Sequence, residues 1–210
     1  MREKLIVDPN LMLDRAEREQ ITCFKFLKTK PNHFIYALRG VGICLQAMDS
    51  KDFEEPKETI KGISKEEIVI KLFEHIDKKD IYIYAVTNRA IYCFLEHHQL
   101  VHSYKFNKST EIALDYCERS SKLFFSDGAI LMSISTTNRG QSDNRRVEFD
   151  LQSKHLVITA VKARWSQSNS KTMVYLGTNG GKVYLHCDGE KLQTYDAFKN
   201  QKVTSISYMR

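Results

Sequence analysis

A chain of 210 residues that is 42% hydrophobic has room for one or two domains and a sizeable core, which excludes a disordered polypeptide. Its formal charge of +6 favours an acidic partner, and it contains no run of 18 apolar residues that would read as a transmembrane helix. Five cysteines, an odd number with no Cys-x-x-Cys pair, and an opening MREKLIVDPN that lacks an apolar signal segment lead to the expectation of a reducing, cytoplasmic setting.

In chain order, EKLIVDP (3–9) reads as an outermost strand, and DRAEREQ (14–20) is helix-friendly. ITCFKFL, from Ile21, is strand-like. HFIYALRGVGICLQAM (33–48) follows as apolar run, turn, apolar run, with a weaker PKETIKG (56–62) behind it. EIVIKLFEHI begins at Glu67 and precedes DIYIYAVTNRAIYCFLEH (80–97) and LVHSYKF (100–106). EIALDYC begins at Glu111 and precedes KLFFSDGAILMSIS (122–135) and RRVEFDL (145–151). VITAVKARW begins at Val157 and precedes KTMVYLGTNGGKVYLHC (171–187) and KLQTYDAF (191–198). A last strand-like stretch, KVTSISYM (202–209), begins at Lys202.

The openings at 21, 67, 111, 157 and 202 are 46, 44, 46 and 45 residues apart. A steady period near 45 with four strand-like runs per unit is the pattern of a β-propeller blade. IYIYAV (81–86) is apolar on both faces, as a strand covered on both sides must be. At GKVYLHCDGEKLQTYDAF (181–198) the chain resembles the third strand, turn and fourth strand of a blade in the WD40-like propeller superfamily. The superfamily's Trp-Asp and Gly-His pairs occur in no unit, so the resemblance rests on period and strand pattern.

The expected fold is therefore all-β, a propeller of about four four-stranded antiparallel blades near 21–62, 67–106, 111–151 and 157–198. These form one partial propeller domain over 1–210. Strands at 3–9 and 202–209, surplus to four blades, lead to the expectation of a larger propeller completed from a longer chain or a partner. Ile83, Tyr84, Phe125, Val174, Tyr175 and Tyr184 are the expected inter-sheet core. The rival is an α+β domain. Ser64 and Glu67 match a capping box, and Val69, Leu72, Phe73 and Ile76 fall on one helical stripe, which would make 66–76 a helix.

Chemistry-bearing motifs are few. GTNGGK (177–182) lacks the leading Gly of a phosphate loop, since Leu176 stands there, and Val183 replaces the metal-binding hydroxyl. It reads as a hairpin with Asn179-Gly180 in a type I′ turn. Cys44, Cys93 and Cys187 fall in third strands and read as core residues. His97, His98 and His102 cluster without further ligands at zinc spacing and read as surface side chains. No catalytic triad, metal or cofactor motif is present, so neither a catalytic residue nor a cofactor is expected.

Arg39 and Arg89 occupy equivalent turns between second and third strands. Arg139, Arg145 and Arg146 lie in the basic loop TTNRGQSDNRR (136–146), expected on the opposite face. Arginine makes bidentate contacts with carboxylate or phosphate, so these five are the candidate partner-binding residues. The expected function is a non-catalytic protein-interaction scaffold within a multisubunit intracellular complex. The alternative is a basic propeller that binds a polyanion, either nucleic acid or phosphoinositide.

Overall fold

The computed structural model describes residues 21–48, 58–95, 99–106, 112–136, 145–153, 155–187, 193–197 and 199–207. The strand expected at 3–9 and Arg139, His97 and His98 lie outside the described residues. The described residues form strands and turns only, with no helix.

Among the described residues, sixteen strands form four sheets, each an antiparallel meander in sequence order. Sheet 1 is β1 (Ile21–Phe26), β2 (His33–Leu38), β3 (Gly42–Ala47) and β4 (Glu58–Ile60). Sheet 2 is β5 (Val69–Asp77), β6 (Asp80–Thr87), β7 (Ala90–Leu95) and β8 (Gln99–Lys105). Sheet 3 is β9 (Leu114–Cys117), β10 (Lys122–Asp127), β11 (Ile130–Ser135) and β12 (Arg145–Asp150). Sheet 4 is β13 (Ile158–Ser166), β14 (Lys171–Thr178), β15 (Lys182–Cys187) and β16 (Gln193–Asp196). Two compact units, Met1–Tyr104 and Lys105–Arg210, divide the chain after its second sheet.

The rival α+β reading is corrected here, because the residues of the supposed helical stripe lie in or beside β5. Val69, Leu72 and Phe73 are buried, and Phe73 pairs with Tyr84 in the β6 ladder. A strand apolar on both faces has no need to alternate, so its apolar residues can fall by coincidence at helical spacing. Ser64 starts a turn instead of a helix, with the Glu66 N–H donating to Ser64 Oγ (3.4 Å) and the Glu67 N–H to the Ser64 carbonyl (3.0 Å).

In the first unit the core lies between sheets 1 and 2. Ile35, Ala37, Ile43, Leu45 and Ile60 of sheet 1 meet Leu72, Ile83, Ala85, Tyr92 and Phe94 of sheet 2. In the second unit Phe124 and Leu131 of sheet 3 meet Ile158, Val161, Ala163, Val174, Leu176 and Tyr184 of sheet 4. Ile83, Tyr84, Phe125, Val174 and Tyr184 are buried as expected, while Tyr175 is half-buried.

Polar bonds reinforce both contacts, and each reaches about one repeat along the chain. Cys23 Sγ donates to the Val69 carbonyl (3.7 Å, 46 residues apart). The Lys28 and Thr29 N–H groups donate to the buried Glu74 carboxylate at 2.6 and 3.2 Å, joined by the Thr29 hydroxyl. In the second unit, buried Asp115 accepts the Ala163 N–H and the Lys162 ammonium, each at 3.0 Å and about 48 residues on.

The GTNGGK segment is a hairpin, as expected, but its turn differs from type I′. Only Gly181 has positive φ (+83°), and its N–H donates to the Thr178 carbonyl (3.3 Å). This is a type I turn closed by a left-handed Gly, the usual three-residue β-hairpin loop. Asn179 stays right-handed because its side chain is engaged elsewhere, as described below.

Candidate interaction surface

The turns between second and third strands carry two of the candidate arginines. In sheet 1, Gly40 takes φ +77° and the Val41 N–H closes the turn on the Leu38 carbonyl (3.2 Å), leaving Arg39 exposed. In sheet 2, the Thr87 hydroxyl fixes the turn by accepting the N–H groups of Arg89 (3.1 Å) and Ala90 (2.9 Å). Arg89 is exposed, and its guanidinium lies 3.4 Å from the equally exposed Glu66 carboxylate. Such a solvated pair contributes only about 0–1 kcal/mol and yields readily to a competing carboxylate.

Beneath Arg89 lies a network that individual residue types do not reveal. Glu67 Oε2 accepts the Thr87 hydroxyl (2.5 Å), and Oε1 accepts the Tyr92 hydroxyl (2.7 Å). Burial, reinforced by the Glu67 carboxylate, pushes the Tyr92 phenol up to about 12. The segment before the first strand is thereby tied to the turn and the third strand of the same sheet.

Each of the last three sheets also clamps the start of its first strand to its second-to-third-strand hairpin. Asn88 Oδ1 accepts the Ile68 N–H (3.0 Å), and the Asn88 N–H returns to the Ile68 carbonyl (3.0 Å). Asn179 does the same to Val157, at 3.0 and 3.1 Å, and its amide also donates to the His155 carbonyl (3.1 Å). In sheet 3 Ser126 takes this role on Ala113, at 2.9 and 2.8 Å. The signal was present in the sequence: Thr-Asn recurs at 87–88 and 178–179, two periods apart.

Arg145 and Arg146 begin β12, exposed, at the end of sheet 3 opposite the β10–β11 turn. The structure thus places them at the other end of a sheet from the position equivalent to Arg39 and Arg89. Arg146 Nε lies 3.8 Å from Glu148, the centre of a second buried cluster. Glu148 accepts the Ser133 hydroxyl (2.6 Å) and faces Lys122 (3.6 Å) and His186 of sheet 4 (3.8 Å). Burial pushes its carboxyl up, but the bonds from His186 and Ser133 and the charges of Lys122 and Arg146 outweigh it and hold the group at about 2.

The cysteines are free thiols, with Cys44, Cys93, Cys117 and Cys187 buried. Burial, only partly countered by a bond to Thr22, pushes the Cys23 thiol up to about 11, so it is a poor nucleophile. Among the described residues, no group of three His, Cys, Asp or Glu side chains is placed to hold a metal ion. No helix of the described residues is long and apolar enough to cross a membrane.

No family model matches the sequence, and neither does any curated protein. Solved structures do match. The chain superimposes over its whole length on BBS1N, crystallised in complex with ARL6DN, at a TM-score of 0.61 and 10% identity, spanning 59% of that protein. Over 81% of its length it matches the β-propeller domain of Myceliophteria thermophila Cps50 (Swd1), at a TM-score of 0.56 and 15% identity, spanning 57% of that chain. Over 90% it matches the computationally designed Ika8 protein, at a TM-score of 0.54 and 13% identity, spanning 53% of that chain. With the four meandering sheets, these likenesses define the fold as a divergent β-propeller in which each sheet is a blade. The chain spans little more than half the length of the propellers it resembles.

Proposed function

We propose that this chain is a non-catalytic scaffold that binds another protein through its turns and works within a larger intracellular assembly. The observation that carries the reading is how the buried acids are used. Glu74 and Asp115 accept backbone N–H groups of the neighbouring sheet, Glu67 ties turn to strand, and Glu148 gathers cations and a hydroxyl. Each holds the framework together, whereas Arg39, Arg89, Arg145 and Arg146 stand exposed on turns and at a strand end. The likeness to BBS1N, crystallised with ARL6DN, supports a protein partner.

Arg39 and Arg89 are the proposed contacts for an acidic partner face. The test is affinity purification of the tagged chain at about 0.15 and 0.5 M salt, beside Arg39→Glu/Arg89→Glu. A co-purifying protein that persists at the higher salt and is lost with the double variant, while the circular dichroism spectrum is unchanged, is the expected result. Retention of that protein by the variant would remove these turns from the interface.

A second reading, polyanion binding, is favoured by the exposed Arg145 and Arg146 in a chain of net charge +6. It predicts binding to phosphoinositide vesicles or duplex DNA that falls steeply with salt and with Arg145→Glu/Arg146→Glu.

A further inference from the structure

Sheets 3 and 4 present the same hairpin side by side. The β9–β10 turn (118–121) and the β13–β14 turn (167–170) each hold four residues between paired strand ends, Cys117 with Lys122 and Ser166 with Lys171. In each, the fourth residue is a left-handed serine, Ser121 (φ +50°) and Ser170 (φ +51°), and a lysine follows. Lys122 and Lys171 therefore open their strands in the same way. The two turns lie at one end of the sheet pair, since Asp115, two residues before the end of β9, bonds Ala163, three before the end of β13.

This end is basic. Arg119, Arg145, Arg146 and Arg164 are exposed there, and Lys122 and Lys171 are half-buried. Against these six cations stand two acids, Glu118 and Glu148, which gives a net charge of +4 among the described residues. The Glu148 side chain is 2% exposed and already lies between Lys122 (3.6 Å) and Arg146 (3.8 Å), so a single carboxylate faces two permanent cations. Lys162 is matched by Asp115 and stands outside this count. In sequence, the connections 137–144 and 188–192 add two basic and three acidic residues, which leaves the balance at +3.

We propose that this end of the second unit docks the phosphate backbone of a nucleic-acid duplex. Arg119, Arg146 and Arg164 would grip phosphate oxygens in bidentate fashion and Lys122 and Lys171 as point charges, while the exposed Ser168 and Asn169 would add neutral hydrogen bonds. Three features favour a duplex over other anions. Stacked sheets lie about 10 Å apart, so the two turns suit an extended anion better than a single headgroup. The turns 118–121 and 167–170 contain no apolar residue, hence no wedge for a membrane and no anchor for the desolvated centre of a protein interface. Long, exposed cations suit a wet contact that draws its affinity from counterion release. This deepens the polyanion reading and rests on it, adding sheet 4 to Arg145 and Arg146 and choosing a duplex over a lipid.

The test titrates the intact chain into a fluorescein-labelled DNA duplex of about 20 base pairs and follows anisotropy between about 0.05 and 0.2 M salt. The logarithm of affinity falls by about 0.9 per phosphate contact per decade of salt, so one contact is worth roughly eightfold at about 0.1 M. Arg119→Gln/Arg164→Gln should therefore weaken binding by roughly sixtyfold at that salt and lower the salt slope by about 2. Lys171→Gln should cost roughly eightfold, and it keeps the test open should the double variant fail to fold. Lys61→Gln/Lys65→Gln removes the same charge from the exposed loop ahead of β5 and should change little. Absence of salt-dependent binding, or equal losses from the two double variants, would overturn the proposal. So would binding to phosphatidylserine vesicles that Arg119→Gln/Arg164→Gln abolishes while it spares the duplex. Binding lost with Arg145→Glu/Arg146→Glu alone would overturn this surface yet leave the polyanion reading standing, so the two fall separately.

Discussion

Glu148→Gln is the most informative substitution on this framework. The side chain is only 2% exposed, so solvent does little to screen its partners. Glutamine keeps the shape and can still accept the Ser133 hydroxyl, but it removes the charge facing Lys122, Arg146 and His186. The folded carboxyl sits near 2 against an ordinary value of 4.5, a depression of about 2.5 units. At about 1.36 kcal/mol per unit this is a contribution of about 3 kcal/mol from the ionised form. A depressed acid stabilises the fold fully above its unfolded value and loses that contribution as pH falls through its folded value. The contribution should thus be complete above about pH 4.5 and vanish towards pH 2. Urea denaturation of wild type and variant at a series of pH values measures it directly. The expected result is a gap of about 3 kcal/mol at pH 7 that closes between pH 4.5 and 2. A variant as stable as wild type at pH 7, or a gap unchanged at pH 2.5, would refute the claim that the ionised carboxylate holds this cluster.

Phe125, 3% exposed in β10, should cost about 3–5 kcal/mol on truncation to Ala, read as a lowered urea midpoint. Asn179→Ala removes the clamp on Val157 and should cost about 1–3 kcal/mol, while Asn179→Asp, which keeps the accepting oxygen, should cost less; paired denaturation curves decide it. Iodoacetamide at pH 8 should label Cys23 far more slowly than a free model thiol, as mass spectrometry of the native chain would record, since the thiol sits near 11.

Much of the fold could be read before any coordinates, because a blade strand announces itself through β-branched and aromatic residues bounded by turns. DIYIYAVT is the clearest case: apolar on both faces, it is buried over Ile83–Val86 on both. The fourth strands of sheets 1 and 4 were less legible because one is short and the other solvated: β4 has three residues, and β16 is exposed throughout. The first strand of sheet 2 begins at Val69 instead of Glu67 because the Glu67 carboxylate is drawn across to Thr87 and Tyr92. The buried acids were not legible. In RRVEFD, Glu148 alternates with apolar residues and looks solvent-facing, and its burial depends on His186, which belongs to another sheet. The type I′ expectation failed for a related reason: the Asn179 side chain is taken up by the clamp on the preceding loop.

The bonds between neighbouring sheets have a consequence for how such a chain can change in length. Glu74 holds backbone 45 and 46 residues before it, and Asp115 holds backbone 48 residues after it. Glu74 and its donors span sheets 1 and 2, and Asp115 and its donors span sheets 3 and 4, so only a duplication or loss of such a pair of consecutive sheets moves each acid together with the donors it needs. Loss or insertion of a single sheet, or of part of one, would part a buried carboxylate from the N–H groups it accepts, at a cost of several kcal/mol. Selection on stability would remove the second kind of event and tolerate the first. Lineages of this chain should therefore differ in steps of about two 45-residue repeats, with smaller insertions confined to the loops.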